Sequence, residues 1–165
     1  MLLRPLLVSD ADELAELQRV AFAEEARRFG DPSLPALTQT VAELAREIRA
    51  SAGIVAIAGT ELAGVVRTRE TAGTLYVTRL VVAPAHQQRG IGTALMRAAE
   101  QQTAAVRACL FVRPRNEAVL AFYRRLGYAP ADGATVDADQ ELVGLTKELC
   151  PPHRVGEQSS AYADS

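Results

Sequence analysis

The sequence has no tryptophan, two cysteines, two histidines and one lysine, Lys147. Each shortage removes a class of function. Cys109 and Cys150 are too few for a disulfide framework and form no Cys-x-x-Cys pair, so both read as free thiols, Cys109 as a small hydrophobe in a buried strand. Neither His86 nor His153 has a second ligand group at metal spacing, so no metal site is expected. Charge of one sign is also lacking. The net charge of −2 gives no basic field to gather nucleic acid or an anionic membrane, and neither is expected as a partner. No apolar run approaches a membrane span. Residues 1–5 read directly as a strand, without a basic stretch followed by an apolar signal core, so a cytoplasmic location is the expectation.

What remains is ordinary for a globular protein: 48% hydrophobic and 23% charged residues in 165 positions, enough to bury one core. Hydrophobic periodicity and turn residues give the element order β-α-α-β-β-β-α-β-α-β-β, an α/β (α+β) chain without internal repeat. Residues 2–7 form the first strand. Ser9, with Asp12 three residues on, reads as the cap of a helix reaching about Phe22 or a little further. Residues 29–35 read as a loop. Thr40 and Glu43 form a capping box for a second helix, which ends at Gly53. Strands follow at 54–58, 62–68 and 74–82, the last stopped by Pro84. A helix from about Gly90 to Gln102 places Ile91, Ala94, Leu95 and Ala98 on one face, and the charges around Glu100 read as a solvated face. A strand at 106–112 leads to a helix capped by Asn116, with Val119, Leu120, Tyr123 and Leu126 buried and Gly127 as the C′ residue. Tyr128-Ala129 and 141–149 complete the strands. Residues 1–149 read as one domain, and 150–165 as a disordered tail.

The chemistry centres on Gln87-Gln88-Arg89-Gly90-Ile91-Gly92-Thr93, where a strand turns into a helix. A helix start carries unpaired N–H groups and partial positive charge. Glycines at 90 and 92 remove side chains that would hold a phosphate away, and Arg89 adds a full charge, a combination suited to a pyrophosphate. The two glycines alone are described as well by a tight turn with no ligand. A dinucleotide fingerprint would need a small residue where Leu95 stands. A phosphate-binding loop would need Gly-Lys-Ser/Thr, and the only lysine is elsewhere.

Three segments in order resemble the GNAT superfamily of N-acetyltransferases. Leu80-Val81-Val82-Ala83-Pro84 is similar to the family's Leu-x-Val-x-Pro at the close of its fourth strand. Gln87 to Gly92 matches its Gln/Arg-x-x-Gly-x-Gly/Ala signature. Residues 116–128, Asn-Glu-Ala-Val-Leu-Ala-Phe-Tyr-Arg-Arg-Leu-Gly-Tyr, resemble its Asn-x-x-Ala-x-x-Phe-Tyr-x-x-x-Gly-Phe/Tyr segment. The resemblance covers about residues 1–149. It implies a mixed, mostly antiparallel sheet of about seven strands with about four helices, and acetyl-CoA as co-substrate without a metal. It also implies residue roles. The pantetheine arm would lie against the backbone of Leu80, Val81 and Val82, with the Val82 N–H facing the thioester oxygen. The backbone around Gln87, Gln88, Arg89, Gly90, Ile91, Gly92 and Thr93 would hold the pyrophosphate, and Asn116 would contact the pantetheine. Tyr123 would be the general acid that protonates the departing thiolate; its plain alternative is core packing with the hydroxyl on a backbone carbonyl.

The sequence departs from the family in one respect. Many members carry a glutamate on the fourth strand as base, and Thr74-Leu75-Tyr76-Val77-Thr78-Arg79-Leu80 contains no acid. Tyr76 or Thr78 could orient a water, and Glu24, Glu25 and Glu70 read better as surface residues, so no base is assigned. The acceptor would be shaped by residues 27–38 and the last strands. Their mixed charge offers no acidic trap for a polyamine or aminoglycoside; a small amine, an amino acid and a protein N-terminus all fit. The expectation is an N-acetyltransferase acting as monomer or homodimer on a small-molecule, peptide or protein amine by direct attack in a ternary complex. The alternative is a non-catalytic acyl-CoA-binding or sensing domain.

Overall fold

A computed structural model describes residues 1–29, 39–133 and 141–149, with backbone alone for Glu25, Arg28 and Phe29. The loop expected at 29–35 falls outside these residues beyond Phe29, and so does the tail expected at 150–165. The elements are β1 (Leu2–Pro5), α1 (Ala11–Phe29), α2 (Val41–Ala50), β2 (Ala52–Ala58), β3 (Glu61–Thr71), β4 (Thr74–Val82), α3 (Ile91–Gln102), β5 (Arg107–Val112), α4 (Glu117–Arg125), β6 (Ala129–Pro130) and β7 (Val143–Glu148). The strands form a seven-stranded sheet in the order β1-β2-β3-β4-β5-β7-β6. The order of elements is the one that periodicity indicated.

The chain divides into two compact units, residues 1–68 with 79–99, and residues 69–78 with 100–165. In the first, β1 pairs antiparallel with β2, and β2 with β3. Leu14 and Leu17 of α1 and Leu44 and Ile48 of α2 pack with Val55, Val65 and Val81 as one cluster. Each fully buried leucine there contributes about 1.5–3 kcal/mol relative to exposure. Thr40 caps α2 as its sequence indicates, accepting the Glu43 N–H at 3.1 Å.

The start of α1 differs from the sequence expectation. Ser9 lies inside a 3-10 turn, Val8–Asp10, and the polar partner is Asp10. Its carboxylate accepts the Leu7 N–H at 2.8 Å and two hydrogen bonds from the Arg4 guanidinium, both 2.8 Å. The Arg4 hydrogen bonds hold the Asp10 carboxyl below the usual carboxylate range against the opposing effect of burial. A forked cation outcompetes a serine hydroxyl as the organiser of this end.

In the second unit, β4 runs parallel to β5, and β7 lies antiparallel to both β5 and β6. Ala108, Leu110, Leu145, Leu120, Tyr123 and Tyr128 are buried. Asn116 caps α4, its Oδ1 accepting the Val119 N–H at 3.2 Å. At the other end, Gly127 N–H reaches the Arg124 carbonyl and Tyr128 N–H the Tyr123 carbonyl, each at 3.0 Å.

Candidate active site

In the first unit, the end of β4 is tied down before the chain turns. Ala83 N–H donates to the Ala63 carbonyl at 2.8 Å, and His86 N–H to the Ala83 carbonyl at 2.8 Å, within a 3-10 turn over Pro84–His86. The Gln87 side-chain amide donates to the Val82 carbonyl at 3.3 Å. This first glutamine of the motif thus braces the strand end. Gln88 and Gly90 adopt φ of 62° and 79°. A Cβ on Gly90 would meet nothing within 4 Å, so glycine is required there for its backbone conformation and not for space.

The first helical hydrogen bond of α3 runs from Ala94 N–H to the Gly90 carbonyl at 3.0 Å. The N–H groups of Ile91, Gly92 and Thr93 therefore have no partner within the helix. The other three helices carry acids in their first turn: Asp12 and Glu13, Glu43, and Glu117. The first turn of α3 carries none, so its positive end is uncompensated. Exposed Arg89 adjoins it. The buried face of α3 is Ile91, Leu95, Met96 and Ala99, rotated from the expected one, because Ala94 and Ala98 are only half-buried.

Gly64 was not singled out by its sequence, yet an added Cβ would lie 3.0 Å from the Val81 carbonyl and 3.1 and 3.2 Å from Leu95 and Ile91 side-chain atoms. A lone glycine in a β-branched strand is the signal for such a close approach. Two cations also went unremarked. Arg67 donates to Glu47 at 2.8 Å, and the Arg79 guanidinium lies 5.7 Å from the centre of the Phe22 ring. Burial, and then the nearby Arg67, hold the Arg79 pKa below that of a free guanidinium.

In the second unit, the β4–β5 ladder pairs Thr74, Leu75 and Tyr76 with Arg107, Ala108 and Cys109 and stops there. Both strands continue, to Val82 and Val112. The Cys109 thiol is free and half-buried, and burial raises its pKa.

Tyr123 is 7% exposed and stands edge-on to Phe122 and Tyr128, with ring centroids 5.0 and 5.8 Å away. Its hydroxyl makes no hydrogen bond among the described residues. The packing alternative placed that hydroxyl on a backbone carbonyl, which is not what is found. Burial pushes the phenol pKa up to about 12.

Tyr128 is anchored from behind. Its hydroxyl donates to Glu100 at 3.2 Å, and Lys147 donates to both Glu100 oxygens at 2.9 and 3.1 Å. Lys147 Nζ also lies 5.7 Å from the Tyr128 ring centre. Burial first, then the Glu100 charge, raise the Tyr128 pKa. Glu100 is therefore not part of a solvated face; its side chain is 11% exposed. Glu70 on β3 is exposed, as expected, and accepts a hydrogen bond from Thr103. Glu24 is exposed, as expected.

Of the residues named from sequence, Leu80, Val81, Val82 and residues 87–93 fall in the first unit, and Asn116 and Tyr123 in the second. Among the described residues no cluster of three His, Cys, Asp or Glu could hold a metal, and no helix is long and apolar enough to cross a membrane.

The fold has many solved counterparts. A PaiA N-acetyltransferase from Thermoplasma acidophilum, solved in complex with coenzyme A, is similar at a TM-score of 0.74 and 20% identity, covering 90% of this chain and 99% of that one. An aminoglycoside 6′-acetyltransferase type Ii is similar at 0.71 and 20%, covering 92% and 99%. An acetyltransferase from Thermus thermophilus is similar at 0.68 and 19%, covering 90% and 98%. At these identities the likeness is one of fold. No curated protein matches the chain. Residues 12–128 match the model of the acetyltransferase (GNAT) family. That span takes in the end of β4, the glycine turn and the Asn116-to-Tyr128 segment, so sequence motif and architecture agree, and the chain belongs to the GNAT acetyltransferase family.

Proposed function

We propose that this protein moves an acetyl group from acetyl-CoA to a primary amine by direct attack in a ternary complex. The observation that carries the reading is the family match over residues 12–128, which contains all three motifs. The uncompensated start of α3 supports it as a pyrophosphate seat, with the free N–H groups of Ile91, Gly92 and Thr93 and the charge of Arg89 as donors. Asn116 uses Oδ1 for its cap, leaving the side-chain NH₂ to donate to a pantetheine carbonyl.

The chemistry follows from these roles. The amine nitrogen attacks the thioester carbon and forms the C–N bond. Negative charge gathers on the carbonyl oxygen, and the Val82 N–H stabilises it. The C–S bond then breaks, and the electron pair leaves on sulfur. The ammonium gives up one proton to solvent before its nitrogen can attack; Tyr123 supplies the proton that makes CoA a thiol, and the second proton, shed by the tetrahedral nitrogen, restores the phenol. An alkyl ammonium ionises near pKa ~10, so that deprotonation limits the rate at neutral pH.

A second reading is a non-catalytic acyl-CoA-binding domain. It is favoured by one observation: β4 holds no carboxylate. Thiol release from acetyl-CoA, measured over a panel of amines, separates the two. Amine-dependent release well above thioester hydrolysis supports the enzyme. Binding of acetyl-CoA without such release supports the sensing domain.

A further inference from the structure

The second unit contains a cavity of about 480 Å³ lined by Arg69, Thr71, Tyr76, Val77, Thr78 and Phe111. We infer that this cavity receives the acceptor, and that the acceptor is a free amino acid, an amine carrying its own carboxylate and an apolar or aromatic side chain. The inference rests on the acetyltransferase reading above and names its substrate class.

Sheet geometry brings the polar and aromatic groups to one face. Tyr76 and Thr78 alternate with Val77, so they project together from β4. Cys109 is the register partner of Tyr76, and Phe111, two residues on, shares its face. Phe111 is 60% exposed although it sits inside a strand. Its ring lies over Gly144, 3.3 Å from where a Cβ would stand. Glycine at 144 therefore leaves space for the ring to lie flat along the sheet. A large aromatic surface held open in this way is suited to an apolar side chain.

Charge selects the rest of the ligand. Arg69 is exposed and makes no ion pair or hydrogen bond among the described residues. The Tyr76 hydroxyl makes none either. The neighbouring acid on β3, Glu70, belongs to the opposite side of the strand by alternation and is engaged by Thr103. Among the described residues no carboxylate lines the cavity. A polyamine or aminoglycoside would meet a cation where it needs an anion. A carboxylate would receive the forked guanidinium and, from Tyr76, a third donor. A peptide N-terminus has an amide in place of that carboxylate and would leave Arg69 unanswered. The volume is in the range of small-ligand pockets, roughly 300–1,000 Å³.

The test begins with binding, which does not depend on turnover. N-acetyl-L-phenylalanine and its carboxamide are titrated calorimetrically into the full chain saturated with CoA. The acid should bind roughly tenfold or more tightly than the amide, the scale of a charge-assisted hydrogen bond. Arg69→Gln should abolish that preference, and because Arg69 is exposed the change leaves the core intact. Equal binding of acid and amide, a preference that survives Arg69→Gln, or no saturable binding of either would overturn the inference. Turnover then follows with phenylalanine, phenylalaninamide and spermidine. Phenylalanine should show the highest kcat/KM, and Arg69→Gln should lower it chiefly through KM. Spermidine as the best acceptor would overturn the inference while leaving the enzyme reading intact. Acid-selective binding with no amine-dependent thiol release would do the reverse: the carboxylate site would stand, and the transferase reading would fall.

Discussion

As the proposed general acid, Tyr123 would enter the reaction with its proton in place. Burial raises its pKa to about 12, so near neutrality the phenol is fully protonated. Donation to a free thiolate, whose conjugate acid has a pKa of about 8.5, is uphill. Donation would therefore be coupled to return of a proton from the tetrahedral nitrogen to the phenol. Tyr123→Phe should lower kcat by about 10²-fold while the dissociation constant of CoA changes less than twofold. Equal losses in both would make Tyr123 a binding residue. Its neighbour Tyr128 is held by Glu100 and Lys147. Lys147→Met would leave a largely buried carboxylate with Tyr128 as its remaining partner, and should cost about 1–3 kcal/mol in urea denaturation. Individual residues differ in how legible they were. The caps at Thr40 and Asn116 were readable because donor and acceptor are three residues apart. Glu100 was not, because its partners Tyr128 and Lys147 lie far along the chain and meet it only after folding.

At the level of elements, the most informative is the passage from β4 through the turn into α3. Its strand, breaker and glycines are visible in sequence because each is a local backbone requirement. The brace from Gln87 to the Val82 carbonyl is not, since a side-chain rotamer decides it. Likewise the period of β4 was clear, but not that its ladder to β5 ends at Tyr76, because pairing depends on a strand distant in sequence. The start of α1 was misplaced for a related reason: Ser9 offers a local cap, but Arg4 recruits Asp10 instead. Gly90→Ala should test the turn. Forcing φ of 79° on an L-residue should cost about 1–2 kcal/mol of stability. It should also weaken CoA binding, because the N–H groups that follow are aimed by that turn. Unchanged stability and affinity would show that the left-handed conformation is dispensable.

For the molecule as a whole, pH dependence reports the buried charges. Burial disfavours the phenolates of Tyr123 and Tyr128, so both keep their protons above the usual value of about 10. The stability tied to these groups is whole below pH about 10 and is lost as pH rises from there through their folded values. Denaturation midpoints should therefore fall as the pH passes 10, and Tyr128→Phe should make that fall shallower. Asp10 acts at the other limit. Its depressed pKa gives stability above the unfolded value of about 3.9, which is lost as the carboxyl protonates on acidification.

The central claim is an acetyl-CoA site at the start of α3, and calorimetric titration of the full chain with acetyl-CoA tests it most directly. Saturation is expected at one acetyl-CoA per chain, with affinity at least about tenfold lower for Gly90→Glu, which places a carboxylate beside the pyrophosphate seat. Absence of saturable binding to the wild-type chain, or equal affinity in the Gly90→Glu variant, would contradict it.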